Sequence, residues 1–155
     1  MTPTEELLIQ KIAIYYARGV DSLDNDNNPA MALEYLRRGF TEGCVFPYSW
    51  PDGTSFGSMT GLVAFVDFAR DFIRQKAYRN TQHMVSNFLI HAVDSARTRM
   101  ESYVVAHHIR QDRNQDVATA WYEDEIVREN DGWKYRHRKC IRLSFDNFAP
   151  AYSLY

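Results

Sequence analysis

The stretch Arg97-Thr98-Arg99-Met100-Glu101-Ser102-Tyr103-Val104-Val105-Ala106-His107-His108-Ile109-Arg110 decides how this chain folds. Successive side chains of a strand point to opposite faces. Met100, Ser102, Val104, Ala106 and His108 therefore share one face, small and largely apolar. Arg97, Arg99 and Glu101 share the other, where their charges want water. Such alternation marks a half-buried strand. Residues 80–92 form a second strand just before it. With Asp94-Ser95 as the turn, His83 falls opposite Ala106, Val85 opposite Val104, Asn87 opposite Ser102 and Leu89 opposite Met100. The inner face then holds His83 and, near the same end, His108, while His107 points away. A slip of one residue would exchange the two histidines.

Two further strands follow, over 117–129 and 133–145, completing a meander. The dipeptide Asp131-Gly132 suits a two-residue hairpin turn. Its register puts Glu129 opposite Lys134, Glu125 opposite Arg138 and Asp124 opposite Lys139, three opposite-charge pairs that each favour the hairpin. The basic and aromatic run Trp133-Lys134-Tyr135-Arg136-His137-Arg138-Lys139 has the composition of a nucleic-acid surface. Beside Glu123-Asp124-Glu125 it reads instead as a solvated, mutually neutralised sheet face. Alternating Trp121, Glu123, Glu125 and Val127 are a candidate surface for self-association.

Upstream, the period changes to that of helices. Thr2-Pro3-Thr4-Glu5 has the form of a capping box with Thr2 as N-cap. Leu8, Ile12, Tyr15, Tyr16, Gly19, Val20 and Leu23 then recur at helical spacing and predict a helix over about residues 3–23. After the polar break Asp24-Asn25-Asp26-Asn27-Asn28, Pro29 opens a shorter helix through Met31, Leu33, Leu36 and Phe40. Cys44 to Trp50 reads as a short aromatic strand that Pro47 assigns to a sheet edge. Pro51-Asp52-Gly53-Thr54 is a turn, and the segment up to Met59, without clear period, is a candidate flap. Leu62, Phe65, Val66, Ala69, Phe72 and Ile73 mark a third helix over roughly 60–76.

Three helices ahead of a twisted antiparallel sheet make an α+β layout. Amphipathic helices must bury their stripes, so they cover one face of the sheet. The curvature leaves a conical cavity, a natural small-molecule site. With 155 residues the chain is long enough for one cored domain over 1–155, and no repeat or linker divides it. Its balance of 45% hydrophobic and 25% charged residues is that of a globular protein. The 14% aromatic share suits a large core or a pocket for a flat ligand. A net charge of -2 supplies no field that would draw the chain to nucleic acid or an anionic membrane. No apolar run approaches a membrane span, and the opening residues lack a secretory signal. Cys44 and Cys140 lie far apart in no CxxC pattern and read as semi-buried thiols, so a cytoplasmic location is expected. His107 and His108 point to opposite faces and no HExxH occurs, so no metal is expected.

The candidates for chemistry are His83 and the residue that would orient it. A histidine facing a cavity takes a proton near neutral pH when an acceptor holds its second nitrogen. Asp21, at the end of the first helix beside Val20, is the natural holder. From spacing alone, Asp21 reads equally as a solvated helix-end carboxylate, and His83 as a core histidine bonded to backbone.

Gly19-Val20-Asp21, Thr81-Gln82-His83 and Asp131-Gly132-Trp133-Lys134-Tyr135, in that order and spacing, resemble the SnoaL-like (nuclear transport factor 2-like) superfamily. The nearest motifs are those of scytalone dehydratase and hexachlorocyclohexane dehydrochlorinase. The resemblance spans nearly the whole chain and implies a cone-shaped, cystatin-like roll. It implies that Asp21 and His83 form a catalytic pair, that His108 matches the second histidine of the dehydratase, and that Tyr48 matches a tyrosine holding water against the substrate carbonyl. Two positions depart from the dehydratase. Val20 stands where it has tyrosine, and Glu123 or Asp124 stands near its substrate-contacting asparagine. The dehydrochlorinase, in turn, lacks the second histidine.

The function so implied is a lyase or isomerase of the dehydratase or polyketide-cyclase type, without metal or organic cofactor, acting on a small cyclic, aromatic or polyketide-like substrate. Asp21, His83 and His108 would be catalytic; Tyr48, Asn87 and Val104 would touch substrate. The alternative is a non-catalytic binding or assembly subunit of the same fold, as in the small subunit of ring-hydroxylating dioxygenases. A homo-oligomer, dimer or trimer, is expected through the sheet face or through the aromatic tail from Phe145 to Tyr155, which would close the pocket mouth or dock on a neighbour.

Overall fold

The computed structural model describes residues 1–130 and 132–148. Thr2 caps α1 (Pro3–Asn25) as expected. Its hydroxyl accepts from the Glu5 N–H at 3.2 Å, and the Glu5 carboxylate accepts from the Thr2 N–H at 2.9 Å. The Asn28 side chain accepts from the Met31 N–H to open α2 (Pro29–Gly39), with Pro29 where its missing N–H is harmless. The third helix is α3 (Leu62–Gln75). The buried stripe of α1 runs through Ile9, Ile12, Tyr16, Gly19, Val20 and Leu23. Leu8, expected within it, is 50% exposed, because the stripe continues from Ile12 to its third neighbour rather than its fourth. At Gly19 the two helices nearly touch: a Cβ there would stand 2.9 Å from Leu36 Cγ and 3.2 Å from the Ala32 carbonyl oxygen.

The strands are β1 (Phe40–Ser49), β2 (Ser55–Thr60), β3 (Tyr78–Ala92), β4 (Arg97–Arg110), β5 (Gln115–Glu129) and β6 (Gly132–Phe148). They form one curled, open sheet in the order β2-β1-β6-β5-β4-β3. The expected α+β layout is therefore found, with one junction, β1 to β6, parallel rather than antiparallel. The edge assignment of the first strand is corrected. β1 lies between β2 and β6, and it tolerates Pro47 because its pairing with β6 runs through Val45, Tyr48 and Ser49. The segment read as a flap is β2, the true edge, paired to β1 from Ser55 to Thr60.

The strand registers depart from the expected ones at three bulges and one turn. His83 does oppose Ala106, and Val85 opposes Val104. Beyond Ser86 the register slips, so Leu89 faces Glu101 instead of Met100 and Asn87 loses its expected place opposite Ser102. The cause is a one-residue bulge in which Asn87 takes φ 57, a left-handed conformation that asparagine adopts more readily than most residues.

In the last hairpin Asp131 lies outside the described residues, but Glu129 opposes Gly132, so the chain turns one residue earlier than the Asp131-Gly132 reading required. Bulges at Arg136 and Leu143 shift the pairing twice more. The charges find other partners: Arg136 meets Glu125 at 3.0 Å and Lys139 meets Glu123 at 3.0 Å, while Lys134 keeps Glu129 at 3.6 Å. Arg138 pairs with Asp124 and both are buried, so this part of the hairpin is core and not the solvated face expected.

Helices and the concave sheet face enclose an aromatic core. Phe46 stacks on Phe65 at 4.3 Å between centroids, and Phe40 leans on Tyr135 at 4.7 Å. Toward the β3–β4 end the sheet carries small side chains, Ala106, Ala118 and Ala120, and there the core opens into a cavity. Among the described residues no helix is long and apolar enough to cross a membrane.

Candidate active site

The cavity has a volume of about 100 Å³ and is open at one side. Phe65, Phe68 and Phe72 of α3 form one wall; Val104, Ala106, Ala118 and Ala120 form the other. Its polar groups come from Tyr16, Tyr48, Thr81, His83, His108, Tyr122 and Arg142.

The end of α1 is tied to the start of β3. The Asn25 side-chain amide accepts from the Thr81 N–H at 2.9 Å and donates to the Thr81 carbonyl at 3.1 Å, as a neighbouring strand would. One turn earlier on the helix, Asp21 Oδ1 lies 2.7 Å from His83 Nδ1. The same oxygen accepts from the Thr81 hydroxyl at 3.1 Å, and Asp21 Oδ2 accepts from the His83 backbone N–H at 3.2 Å. The Thr81 hydroxyl, the His83 N–H and the His83 ring thus converge on one carboxylate. The His83 side chain is 8% exposed and lines the cavity. With Nδ1 turned to Asp21, the Nε2 edge of the ring is the one left for a ligand. Asp24, one turn beyond Asp21, is pushed up to about 6 by burial and by the charge of Asp21.

His108 is buried on the same inner face, its ring 5.6 Å from that of His83 and edge-on to it. Tyr78, Phe72 and Phe145 surround it at centroid distances of 4.9, 6.4 and 6.1 Å. Burial, and then the proximity of His83, lower its pKa to about 4, so it is neutral at physiological pH. Its Nδ1 is buried without a hydrogen-bond partner among the described residues.

Desolvation raises the Tyr48 phenol well above its ordinary range, so Tyr48 faces the cavity as an O–H donor. Tyr16 and Tyr122 share a hydrogen bond of 3.0 Å, and burial pushes Tyr16 up to about 12. Beneath them the Arg138 guanidinium lies 4.3 Å from the Tyr16 ring, 4.0 Å from Tyr122 and 4.2 Å from Tyr135. Burial works against its charge, but the charge of Asp124, which accepts two hydrogen bonds from it at 3.1 Å each, holds its pKa above the ordinary value. Cys140 also lines the cavity; burial raises its thiol to about 11, which rules out a ready thiolate at neutral pH.

The fold thus brings together Asp21, His83, His108, Tyr48 and Val104. It does not bring Asn87, which the bulge leaves exposed and away from the cavity, beside Leu89, Tyr103 and Trp121. His107 faces the other side of the sheet, against Gln115. The sequence reading missed Thr81, Tyr16, Tyr122 and Arg142. Tyr122 was within reach, since setting Trp121 and Glu123 outward turns residue 122 inward. Arg142 could have been flagged as the single basic residue near the aromatic end of its strand. Among the described residues no three His, Cys, Asp or Glu side chains converge as metal ligands would.

A curled sheet closed by three helices over a cavity holding acid–base side chains defines a class of small α+β cone proteins. Residues 5–139 match the SnoaL-like domain, and the chain belongs to that family. Similar solved structures include one provisionally named an aromatic ring hydroxylase from Novosphingobium aromaticivorans (TM-score 0.76, 21% identity, covering 96% of this chain and 96% of that one). A hexachlorocyclohexane dehydrochlorinase from Novosphingobium barchaimii follows the same path (TM-score 0.74, 14% identity, 97% and 94%). So does a protein from Novosphingobium aromaticivorans provisionally named a scytalone dehydratase (TM-score 0.70, 21% identity, 95% and 89%). At these identities the likeness is one of fold. No curated protein matches the chain in sequence.

Proposed function

We propose that this protein is a cofactor-independent lyase or isomerase in which the Asp21–His83 pair removes a proton from carbon in a small cyclic substrate. The observation that carries the reading is the 2.7 Å contact between Asp21 Oδ1 and His83 Nδ1 at the wall of an apolar cavity. A carboxylate in that position fixes the tautomer and stabilises the imidazolium that forms. His83 Nε2 takes a proton from carbon next to a carbonyl, and the electron pair of the broken C–H bond moves into an enolate. Tyr48 donates a hydrogen bond to the enolate oxygen, directly or through water. The enolate re-forms its carbonyl as the C–O bond to the leaving hydroxyl breaks, and the imidazolium returns the proton, so water departs. His108, neutral by burial, serves the departing oxygen as a hydrogen-bonding group rather than as an imidazolium acid.

The named dehydratase and dehydrochlorinase neighbours support elimination chemistry as the class. The cavity is smaller than the roughly 150 Å³ of an engineered apolar cavity that takes benzene, which favours a single ring at the base with the remainder in the open mouth. The test is a screen of cyclic hydroxy-ketones for loss of water. With an active compound in hand, Asp21→Asn and His83→Ala are each expected to lower kcat by roughly 10²–10⁴-fold, the usual worth of a positioned acid–base group. Full turnover in both variants would remove the mechanism. Absence of turnover across the whole screen would favour instead a binding or assembly subunit, a reading that the neighbour named an aromatic ring hydroxylase keeps in view.

A further inference from the structure

Arg142 is a cation that the proposed proton transfer does not use. It sits on the inner face of β6 opposite Ala120 and lines the cavity. The other Lys and Arg residues of β6 all meet a carboxylate: Lys134 meets Glu129, Arg136 meets Glu125, Arg138 meets Asp124 and Lys139 meets Glu123. Arg142 meets none among the described residues. Its guanidinium lies instead against two aromatic rings, 5.2 Å from the Phe56 centroid and 5.1 Å from that of Phe145. The carboxylates around the cavity are already engaged. Asp21 is held by His83 and Thr81, Asp124 by Arg138, and Asp116 by Tyr78, Arg110 and Asn147.

A half-buried guanidinium stacked on aromatic rings keeps its planar fork of N–H donors free for an oxyanion, which it binds with two parallel hydrogen bonds. The charge also reaches the groups assigned to the chemistry. It disfavours protonation of His108 and favours ionisation of Tyr48. The cavity that Arg142 and His83 both line has apolar walls from Phe68, Phe72, Val104 and Ala118. A half-buried cation, apolar walls with room for one ring and a proposed base in the same cavity match one ligand chemistry.

We propose that the substrate is a small cyclic acid, its carboxylate held by Arg142 while its ring enters the cavity toward His83. This names the substrate class of the proposed lyase and rests on that reading for the reaction, though the binding step stands by itself. The test is a calorimetric titration with benzoate and with its neutral isostere benzamide. Wild type is expected to bind benzoate more tightly than benzamide. Arg142→Gln is expected to weaken benzoate roughly ten- to hundredfold, the worth of charge-assisted hydrogen bonds, and to leave benzamide unchanged. Arg142→Lys, expected to keep an intermediate preference, serves if the Gln variant does not fold. His83→Ala, which removes the proposed base, is expected to keep the preference for benzoate. Equal binding of the two ligands, binding of neither, or a preference that survives in folded Arg142→Gln would overturn the proposal. An Arg142-dependent preference without turnover of any cyclic hydroxy-keto acid would overturn the lyase reading alone.

Discussion

Asn25 grips Thr81 by both of its backbone polar groups, accepting from the N–H at 2.9 Å and donating to the carbonyl at 3.1 Å. Helix α1 thereby extends the edge of the sheet at β3 by a single side chain. Asp21 lies one turn back on the helix and His83 two residues along the strand, so this clamp sets the spacing of the pair. Removing it in Asn25→Ala leaves the buried Thr81 N–H without a partner, which costs roughly 1–3 kcal/mol. Urea unfolding is expected to show that loss, and turnover is expected to fall further than the fraction unfolded explains. An Asn25→Ala protein with unchanged stability and activity would mean that the helix end is positioned by packing alone.

The β5–β6 hairpin holds two kinds of acid–base pair, and they are expected to behave differently. Arg138 and Asp124 are buried, with Arg138 further enclosed by Tyr16, Tyr122 and Tyr135. Asp124→Ala strands that guanidinium in the core and is expected to cost about 3–5 kcal/mol. Glu123 meets Lys139 on the exposed face, and Glu123→Ala is expected to cost no more than about 1 kcal/mol. Chemical denaturation of the two variants checks the contrast, and equal costs would contradict the buried placement.

Two titrating groups give opposite pH dependences of stability. His108 has its folded pKa lowered from 6.5 to about 4, chiefly by burial. Its contribution is fully present above the unfolded value and is lost as pH falls toward the folded one. Asp24 has its folded pKa raised from 3.8 to about 6, by burial and by Asp21. Its contribution is complete below the unfolded value and is lost as pH rises through the folded one. On acidification from neutrality, His108→Gln is therefore expected to gain stability relative to wild type, by about 2–3 kcal/mol as pH nears the folded value of His108. Asp24→Asn is expected to be more stable than wild type at neutral pH by about 1–2 kcal/mol, an advantage that fades in acid. Melting temperatures of the three proteins over this range check both signs.

The parts of the fold that the sequence made legible are those set by local chemistry. Thr2 with Glu5 and Asn28 with Pro29 mark helix starts because capping demands those residue types at those offsets. The inner face from Met100 to His108 follows from the two-residue period of a strand, and it placed His108 beside His83 without appeal to any relative. Bulges escaped, because an extra residue at Asn87, Arg136 or Leu143 leaves the alternation plausible on either side. Asn87 was lost from the site for that reason. The turn one residue earlier than Asp131-Gly132, together with the bulge at Arg136, moved Asp124 from a surface pair with Lys139 to a buried one with Arg138. Pro47 misled about the edge because the parallel partner β6 comes from the far end of the chain, a pairing that no local pattern announces. Asp21 and His83 stand 62 residues apart, and spacing alone left each as readily structural as functional.

The central claim is that Asp21 holds His83 with its Nδ1 protonated and its Nε2 free to accept a proton in the cavity. Nitrogen NMR of the His83 ring, in its neutral form, reads this directly and needs no substrate. The expected result is the Nδ1–H tautomer in wild type, with the preference lost in Asp21→Ala. A proton resident on Nε2 in wild type, or the same Nδ1–H tautomer with Asp21 removed, would contradict the account.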